Sequence, residues 1–200
     1  MKLFLVRHGQ TKWNQEGKVQ GHSDIGLNAP GLKQAAALSL WFNDKKINTV
    51  YASPLRRAME TASVIAKRLG QDVNPVDGLK ELNHGELEGM PSSEIWSRHG
   101  KFFEQWLKNP GDIRIPGGET VIELQQRAWK AVEGLAEKHP EDTLLVVGHH
   151  FTNLVIICTA IGLDLRNMWR LKQDETGVNI FLYNEFGWRM LLYNSLAHLL

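Results

Sequence analysis

One cysteine in 200 residues, Cys158, excludes an internal disulfide. It lies in the apolar stretch Leu154-Val155-Ile156-Ile157-Cys158 and reads as a core residue. Long hydrophobic runs are missing too. The longest, near 144–147 and 154–163, fall far short of the ~20 residues that cross a bilayer. The first, Leu3-Phe4-Leu5-Val6, is cut by Arg7 too early for a signal peptide. Neither charge sign dominates: 23 Lys and Arg face 22 Asp and Glu, a formal net charge of +1. No global field therefore draws the chain to nucleic acid or an anionic membrane, and any positive field must be local. Repeats and low-complexity tracts are absent. What these absences leave is a soluble cytoplasmic protein, with no nucleic-acid and no membrane partner. Two hundred residues suit one domain, 1–200, long enough to bury a substantial core.

The pattern that is present alternates strands with helices. Leu3 to Val6 reads as a buried strand, and residues 10–27, with Gly17, Gly21 and Gly26, as a loop. Asn28 is placed to cap a helix over about 30–43. Ile47 to Tyr51 is a second strand. Ser53-Pro54 predicts a helix start, with Ser as N-cap and Pro at the first helical position. That helix runs to Leu69, and Gly70 ends it. A short strand and an acidic loop follow over 71–90. Trp96, Phe102, Phe103 and Trp106 then have helical spacing in an insertion at about 90–115, as its core or as a lid. Thr120 and Glu123 have capping-box spacing for a helix to Lys138. Thr143 to Val147 is a buried strand, followed by an apolar helix to Ile161. Strands over 178–184 and 188–193 form a hairpin through Asn184-Glu185-Phe186-Gly187. The expected fold is an α/β three-layer sandwich with a mostly parallel central sheet flanked by helices.

Chemistry concentrates at the predicted strand ends. Arg7-His8-Gly9 closes the first strand, where open α/β sheets place their ligand crevices. The planar fork of an arginine matches a phosphate, and the adjacent imidazole can act as nucleophile, acid or ligand. Val146-Val147-Gly148-His149 repeats the arrangement. Arg56 and Arg57 sit in the first turn of a helix whose N-terminus already favours an anion. Glu81 and His84 share a loop, and Thr11, Asn14 and Gln20 to Asp24 offer hydroxyl and amide groups.

In this order the motifs resemble those of the histidine phosphatase superfamily, which includes the cofactor-dependent phosphoglycerate mutases, and the resemblance spans nearly the whole chain. It is carried by Arg7-His8-Gly9-Gln10-Thr11 with Trp13-Asn14, and by Gly21-His22-Ser23-Asp24 with Leu27-Asn28 and Gly31. Ser53-Pro54-Leu55-Arg56-Arg57-Ala58 with Thr61-Ala62, Glu81 with Gly85 and Glu88-Gly89, Pro116-Gly117-Gly118-Glu119-Thr120 and Gly148-His149 complete it. The resemblance implies a phosphoglycerate mutase-like fold in which His8 becomes phosphorylated. It implies that Arg7, Arg57 and His149 hold the phosphoryl oxygens and that Glu81 gives and takes the proton. Asn14, Gln20, Gly21 and His84 join Arg7, Arg57, Glu81 and His149 as expected substrate contacts. Neighbouring guanidinium charge should keep His8 neutral, and burial should raise the pKa of Glu81. Two arginines and a polar histidine supply charge stabilisation, so no metal and no cofactor is expected.

The expected activity is hydrolysis of a small phosphorylated metabolite by a metal-independent phosphomonoesterase. α-Ribazole phosphate, phosphoserine, phosphoglycerates and sugar phosphates all stay open as substrates, and so does a homodimer. Phosphoglycerate mutase-type transfer is the first rival, disfavoured by the length and the absence of a charged tail. A noncatalytic phosphate binder is the second, disfavoured because all five expected groups are present. The chain departs from the family at His150, where glycine is usual. On an extended segment adjacent side chains point oppositely, so His150 should not share the pocket with His149. Arg56 reads as a surface residue or a substrate-side contact, His99 and His139 as surface residues. His22 stays ambiguous, His198 could fold back over the pocket, and Glu86 and Glu88 are alternative acids.

Overall fold

A computed structural model describes residues 1–200. Its six strands are β1 (Lys2–Arg7), β2 (Thr49–Ala52), β3 (Val73–Pro75), β4 (Thr143–Gly148), β5 (Val178–Asn184) and β6 (Gly187–Ser195). They form one sheet in the order β3-β2-β4-β1-β5-β6. The first four are mutually parallel, whereas β5 and β6 run antiparallel as the expected hairpin. The α-helices are α1 (Lys12–Gln15), α2 (Ala29–Trp41), α3 (Arg56–Leu69), α4 (Ser92–Lys108), α5 (Val121–Lys138) and α6 (His150–Ile161). None is long and apolar enough to cross a membrane.

The three layers follow from the two-residue period of the strands. Leu3, Leu5, Tyr51, Leu144, Val146 and Phe181 enter the core under α5 and α6. Phe4, Val6, Val50, Ala52, Leu145, Val147 and Val178 enter the opposite core, under α2 and α3. Parallel strands buried on both faces need continuous apolar runs, which β1 and β4 have. Cys158 lies in the first core, where burial pushes its thiol up to about 11. The chain leaves β1 toward α2 on one face and leaves β4 toward α6 on the other. These exits diverge from neighbouring strands, with Arg7 opposite Gly148, and open a crevice at their carboxyl ends.

Local signals set several boundaries. Asn28 caps α2 by accepting from Gly31 N at 2.9 Å, and Thr120 and Glu123 form both halves of the capping box on α5. Gly70 ends α3 in the left-handed region at φ +66°. Three expectations need correction. Residues 10–27 are not wholly loop, because Thr11 and Asn14 make a capping box that starts α1. Helix α3 begins at Arg56 rather than Pro54. Ser53 spends its hydroxyl on Leu55 N (3.3 Å), while the helix terminus is met by Asp24, whose Oδ1 accepts from Arg56 N at 2.6 Å. His139 is not a surface residue: its ring lies between Tyr51 OH (2.8 Å) and Asp142 Oδ2 (2.7 Å).

Candidate active site

His8 follows β1 directly, its backbone N–H donating to Gly148 O across the β1–β4 ladder at 3.1 Å. The ring is buried, and Nδ1 lies 2.7 Å from Gly9 O. A carbonyl can only accept, so Nδ1 carries the proton and Nε2 presents a bare lone pair. Burial first, then Arg57 and Arg7, holds the His8 pKa well below its usual value. The ring is therefore neutral at pH 7, the form a nucleophile needs. Gly9 is required here for close approach, since a Cβ would meet the backbone of Gly31.

Arg57, in the first turn of α3, is completely buried. Its Nη2 donates to Gly21 O at 2.7 Å, Nη1 to Ser23 O at 2.9 Å and Nε to His149 Nδ1 at 3.2 Å. Burial lowers its pKa to about 10, leaving it charged at neutral pH. Because His149 Nδ1 accepts from Arg57, the neutral ring must carry its proton on Nε2. That nitrogen is buried and unpartnered. Burial, then the charge of Arg57, holds the His149 pKa well below normal. The His8 and His149 rings lie 5.1 Å apart. Arg7 donates from Nη1 to Gln173 O at 2.6 Å, while its Nε is again buried without an acceptor. Two orphaned donors beside a bare imidazole nitrogen call for acceptor oxygens from a ligand, because a buried donor left unpaired costs about 1–3 kcal/mol.

Glu81 faces this group from its own loop. Oε1 accepts from Leu82 N (2.9 Å), Thr152 N (3.1 Å) and Thr152 Oγ1 (3.2 Å), and Oε2 accepts from Phe151 N (3.2 Å). The carboxylate thus sits on the N-terminal amides of α6, where the helix dipole favours a negative charge. The expected upward pKa shift does not hold. Burial does push upward, but His150 and His84, which are charged only in acid, together with the Leu82 amide and Arg57 outweigh it, and the net direction is down. Arg127 fixes the loop by donating to Gly78 O, Lys80 O and Glu81 O at 3.0, 2.6 and 2.7 Å.

Arg7, His8, Asn14, Gln20, Gly21, Arg57, Glu81 and His84 line one cleft of about 270 Å³, whereas His149 is fully buried behind the lining, against His8 and Arg57. Thr11 is fully buried and does not reach the cleft; its hydroxyl donates to Gln20 Oε1 at 2.9 Å. Glu88 is committed to the 22–23 segment, accepting from His22 N and Ser23 N at 2.8 Å each, and Glu86 is exposed. His22 donates from Nε2 to Glu81 O at 2.9 Å, and Arg56 is an exposed partner of Glu60. Trp96, Phe102, Phe103 and Trp106 stay outside the lining; Trp106 is buried against Phe151 and Trp169. His198 does not fold over the cleft but bonds Thr176 Oγ1 at 2.9 Å.

His150 requires the main correction, because it lines the cleft. Strand alternation stops applying at His149, which is the N-cap of α6, so His150 already follows helical geometry. Lys18 and Ser92 at the rim were missed as well. They come together through the Lys18–Pro91 bridge and the Ser92 hydroxyl, which donates to Gly17 O at 3.1 Å; neither contact has a local signal.

The histidine phosphatase superfamily (branch 1) model matches residues 3–196. The putative phosphoserine phosphatase 2 of Hydrogenobacter thermophilus is 32% identical over 197 residues, which is 98% of this chain and 97% of that one. Among solved structures, Bacillus stearothermophilus YhfR superposes with a TM-score of 0.93 at 26% identity, covering 98% of both chains. A mutant of the Entamoeba histolytica phosphoserine phosphatase in complex with phosphoserine gives 0.89 at 26% identity, over 100% of this chain and 99% of that one. With the ordered motifs, the sheet and the cleft in agreement with that match, the chain belongs to the histidine phosphatase superfamily, branch 1.

Proposed function

We propose that the chain is a phosphomonoesterase that hydrolyses a small phosphorylated metabolite, phosphoserine or an ester of similar size, through a phosphohistidine on His8. The observation that carries this reading is the bare Nε2 of His8 beside the two orphaned donors, Arg7 Nε and His149 Nε2. A phosphoryl group set there would supply the missing acceptors and meet the nucleophile at once. Arg7, Arg57 and His149 hold its oxygens, and their stabilisation grows as charge develops in the transition state.

In the first step Nε2 of His8 forms a bond to phosphorus while the ester P–O bond breaks, and the departing oxygen takes a proton from the Glu81 carboxyl. In the second, water loses a proton to Glu81 as its oxygen attacks phosphorus, and the P–N bond breaks to release phosphate and restore His8. Glu81, with its pKa lowered, is ionised at neutral pH, so the proton it donates must arrive with the substrate. A bound phosphoryl group, negatively charged, raises the affinity of the carboxyl for that proton. The names of the Hydrogenobacter and Entamoeba relatives support hydrolysis over mutase-type transfer.

A panel of phosphoserine, α-ribazole phosphate, 3-phosphoglycerate, sugar phosphates and p-nitrophenyl phosphate, with and without chelator, tests the reading. Phosphate release from small monoesters that survives excess chelator is expected. Interconversion of phosphoglycerates without phosphate release would assign the mutase reaction instead. Loss of turnover under chelation, restored by Mg²⁺ or Zn²⁺, would overturn the metal-free mechanism.

A further inference from the structure

The cleft is lined by two chemical kinds of group. One presents donors: Arg7, Arg57, His149 Nε2, and the Gln20 amide nitrogen, whose oxygen is already engaged by Thr11. The other is built differently and adjoins the first at His150, whose Nδ1 shares Gln173 O with Arg7 Nη1. His150 and His84 flank Phe151, their ring centroids 5.0 and 5.3 Å from its ring, and all three line the cleft with Glu81. His84 Nδ1 lies 2.9 Å from Leu82 O, and His150 Nδ1 lies 3.4 Å from Gln173 O. Both Nδ1 atoms therefore carry protons, and in the neutral rings both Nε2 atoms are acceptors with no partner in the fold. Burial keeps both rings neutral, lowering the His150 pKa to about 4 and that of His84 below its usual value. Two imidazole lone pairs and the Glu81 carboxylate thus form an acceptor wall. Lys18, the cation at the rim, is paired with Glu16 at 2.9 Å.

We infer that His150, with His84, selects the leaving group, favouring phosphate esters whose alcohol carries an ammonium or hydroxyl donor next to the ester carbon. Such a donor satisfies the Nε2 lone pairs, whereas a leaving group bearing only a carboxylate sets acceptor against acceptor beside an ionised Glu81. A site built around a hydrogen bond discriminates strongly against the partner that lacks it. The inference rests on the phosphatase reading and makes His150 a specificity residue of that site.

The test compares kcat/KM for O-phosphoethanolamine, which has the donor and no carboxylate, with that for phosphoglycolate, which has the reverse. The wild type should prefer O-phosphoethanolamine by at least about tenfold, the worth of one hydrogen bond to a charged group. His150→Phe keeps a ring and removes the lone pair, so that ratio should fall by about tenfold. His150→Asn, which retains an acceptor oxygen, should hold more of it. Wild-type preference for phosphoglycolate, or the same ratio in His150→Phe as in wild type, would overturn the assignment. Turnover of p-nitrophenyl phosphate by the wild type reports separately on the phosphatase reading. If that substrate is cleaved while the donor preference is absent, only the specificity inference fails.

Discussion

At the scale of single residues, the proposed mechanism divides the site into groups that bind charge and a group that moves a proton, and substitutions should separate them. Glu81→Gln keeps the shape but removes the titration, so kcat for an alkyl ester should fall by roughly 10²–10⁴-fold with little change in KM. The loss should shrink for p-nitrophenyl phosphate, whose leaving group departs without a proton. Equal damage to both esters would move the proton transfer elsewhere, although exposed Glu86 and committed Glu88 are poorly placed to take it. Arg57 is different because it binds and also builds. Its guanidinium meets Gly21 O, Ser23 O and His149 Nδ1 together, which one ammonium on a flexible stem cannot do. Arg57→Lys should therefore impair both KM and kcat and fail to restore wild-type kcat/KM. A lysine variant within twofold of wild type would show that charge alone suffices there.

At the scale of elements, two segments distant in sequence hold Glu81 in place. Arg127 on α5 ties down three carbonyls of the Glu81 loop and pairs with Glu119, whose Oε1 also accepts from Asn83 N at 2.8 Å. Arg127→Met should destabilise the protein by about 1–3 kcal/mol in urea denaturation and lower kcat, since the freed carbonyls are only partly reached by water. Gly118 lies against the same loop, and a Cβ there would overlap Asn83 O. Gly118→Ala should cost about 1–3 kcal/mol through overpacking and should also lower kcat. Unchanged urea midpoints in both variants would refute this bracing. The same elements show what a sequence can and cannot carry. The caps at Asn28 and at Thr120 with Glu123 were legible because donor and acceptor lie within three residues of each other. The start of α3 was not, because its terminal N–H is met by Asp24, 32 residues away. Motif order points to His8, Arg57, Glu81 and His149, which the fold brings together, whereas Lys18 and Ser92 join the cleft only through folding. His150 was visible but misplaced, because one residue decides whether strand or helix geometry sets its direction.

For the whole molecule, the cost of the site should appear as acid sensitivity. His8, His84, His149, His150 and His198 all have pKa values lowered in the fold, each chiefly by burial. Above about pH 6.5 these rings are neutral in folded and unfolded chain alike and contribute no pH dependence. As pH falls below that, the unfolded chain binds protons the folded chain refuses, so stability declines, by about 1.4 kcal/mol per pH unit for each proton taken up. The decline continues until the folded pKa values are reached, near 4 for His150 and His198. Glu81, lowered from its ordinary carboxylate value, adds its own loss only at more acidic pH. Tm should therefore be flat from pH 8 to 7 and fall steeply between pH 6.5 and 5. A flat profile through pH 5 would mean that the buried histidines accept protons in place. Phosphate or vanadate in the cleft should raise Tm throughout by satisfying the orphaned donors.

The proposed mechanism turns on a covalent intermediate, and with Nδ1 of His8 held by Gly9 O the atom left to carry it is Nε2. Rapid quenching of the wild type with a ³²P-labelled substrate, followed by alkaline digestion and identification of the phosphohistidine isomer, tests it most directly. The account predicts an acid-labile, base-stable label on Nε2 of His8, because Nδ1 is held by Gly9 O, and no label in His8→Ala, with turnover reduced by several orders of magnitude. A label on any other residue, or substantial turnover by a folded His8→Ala, would contradict it.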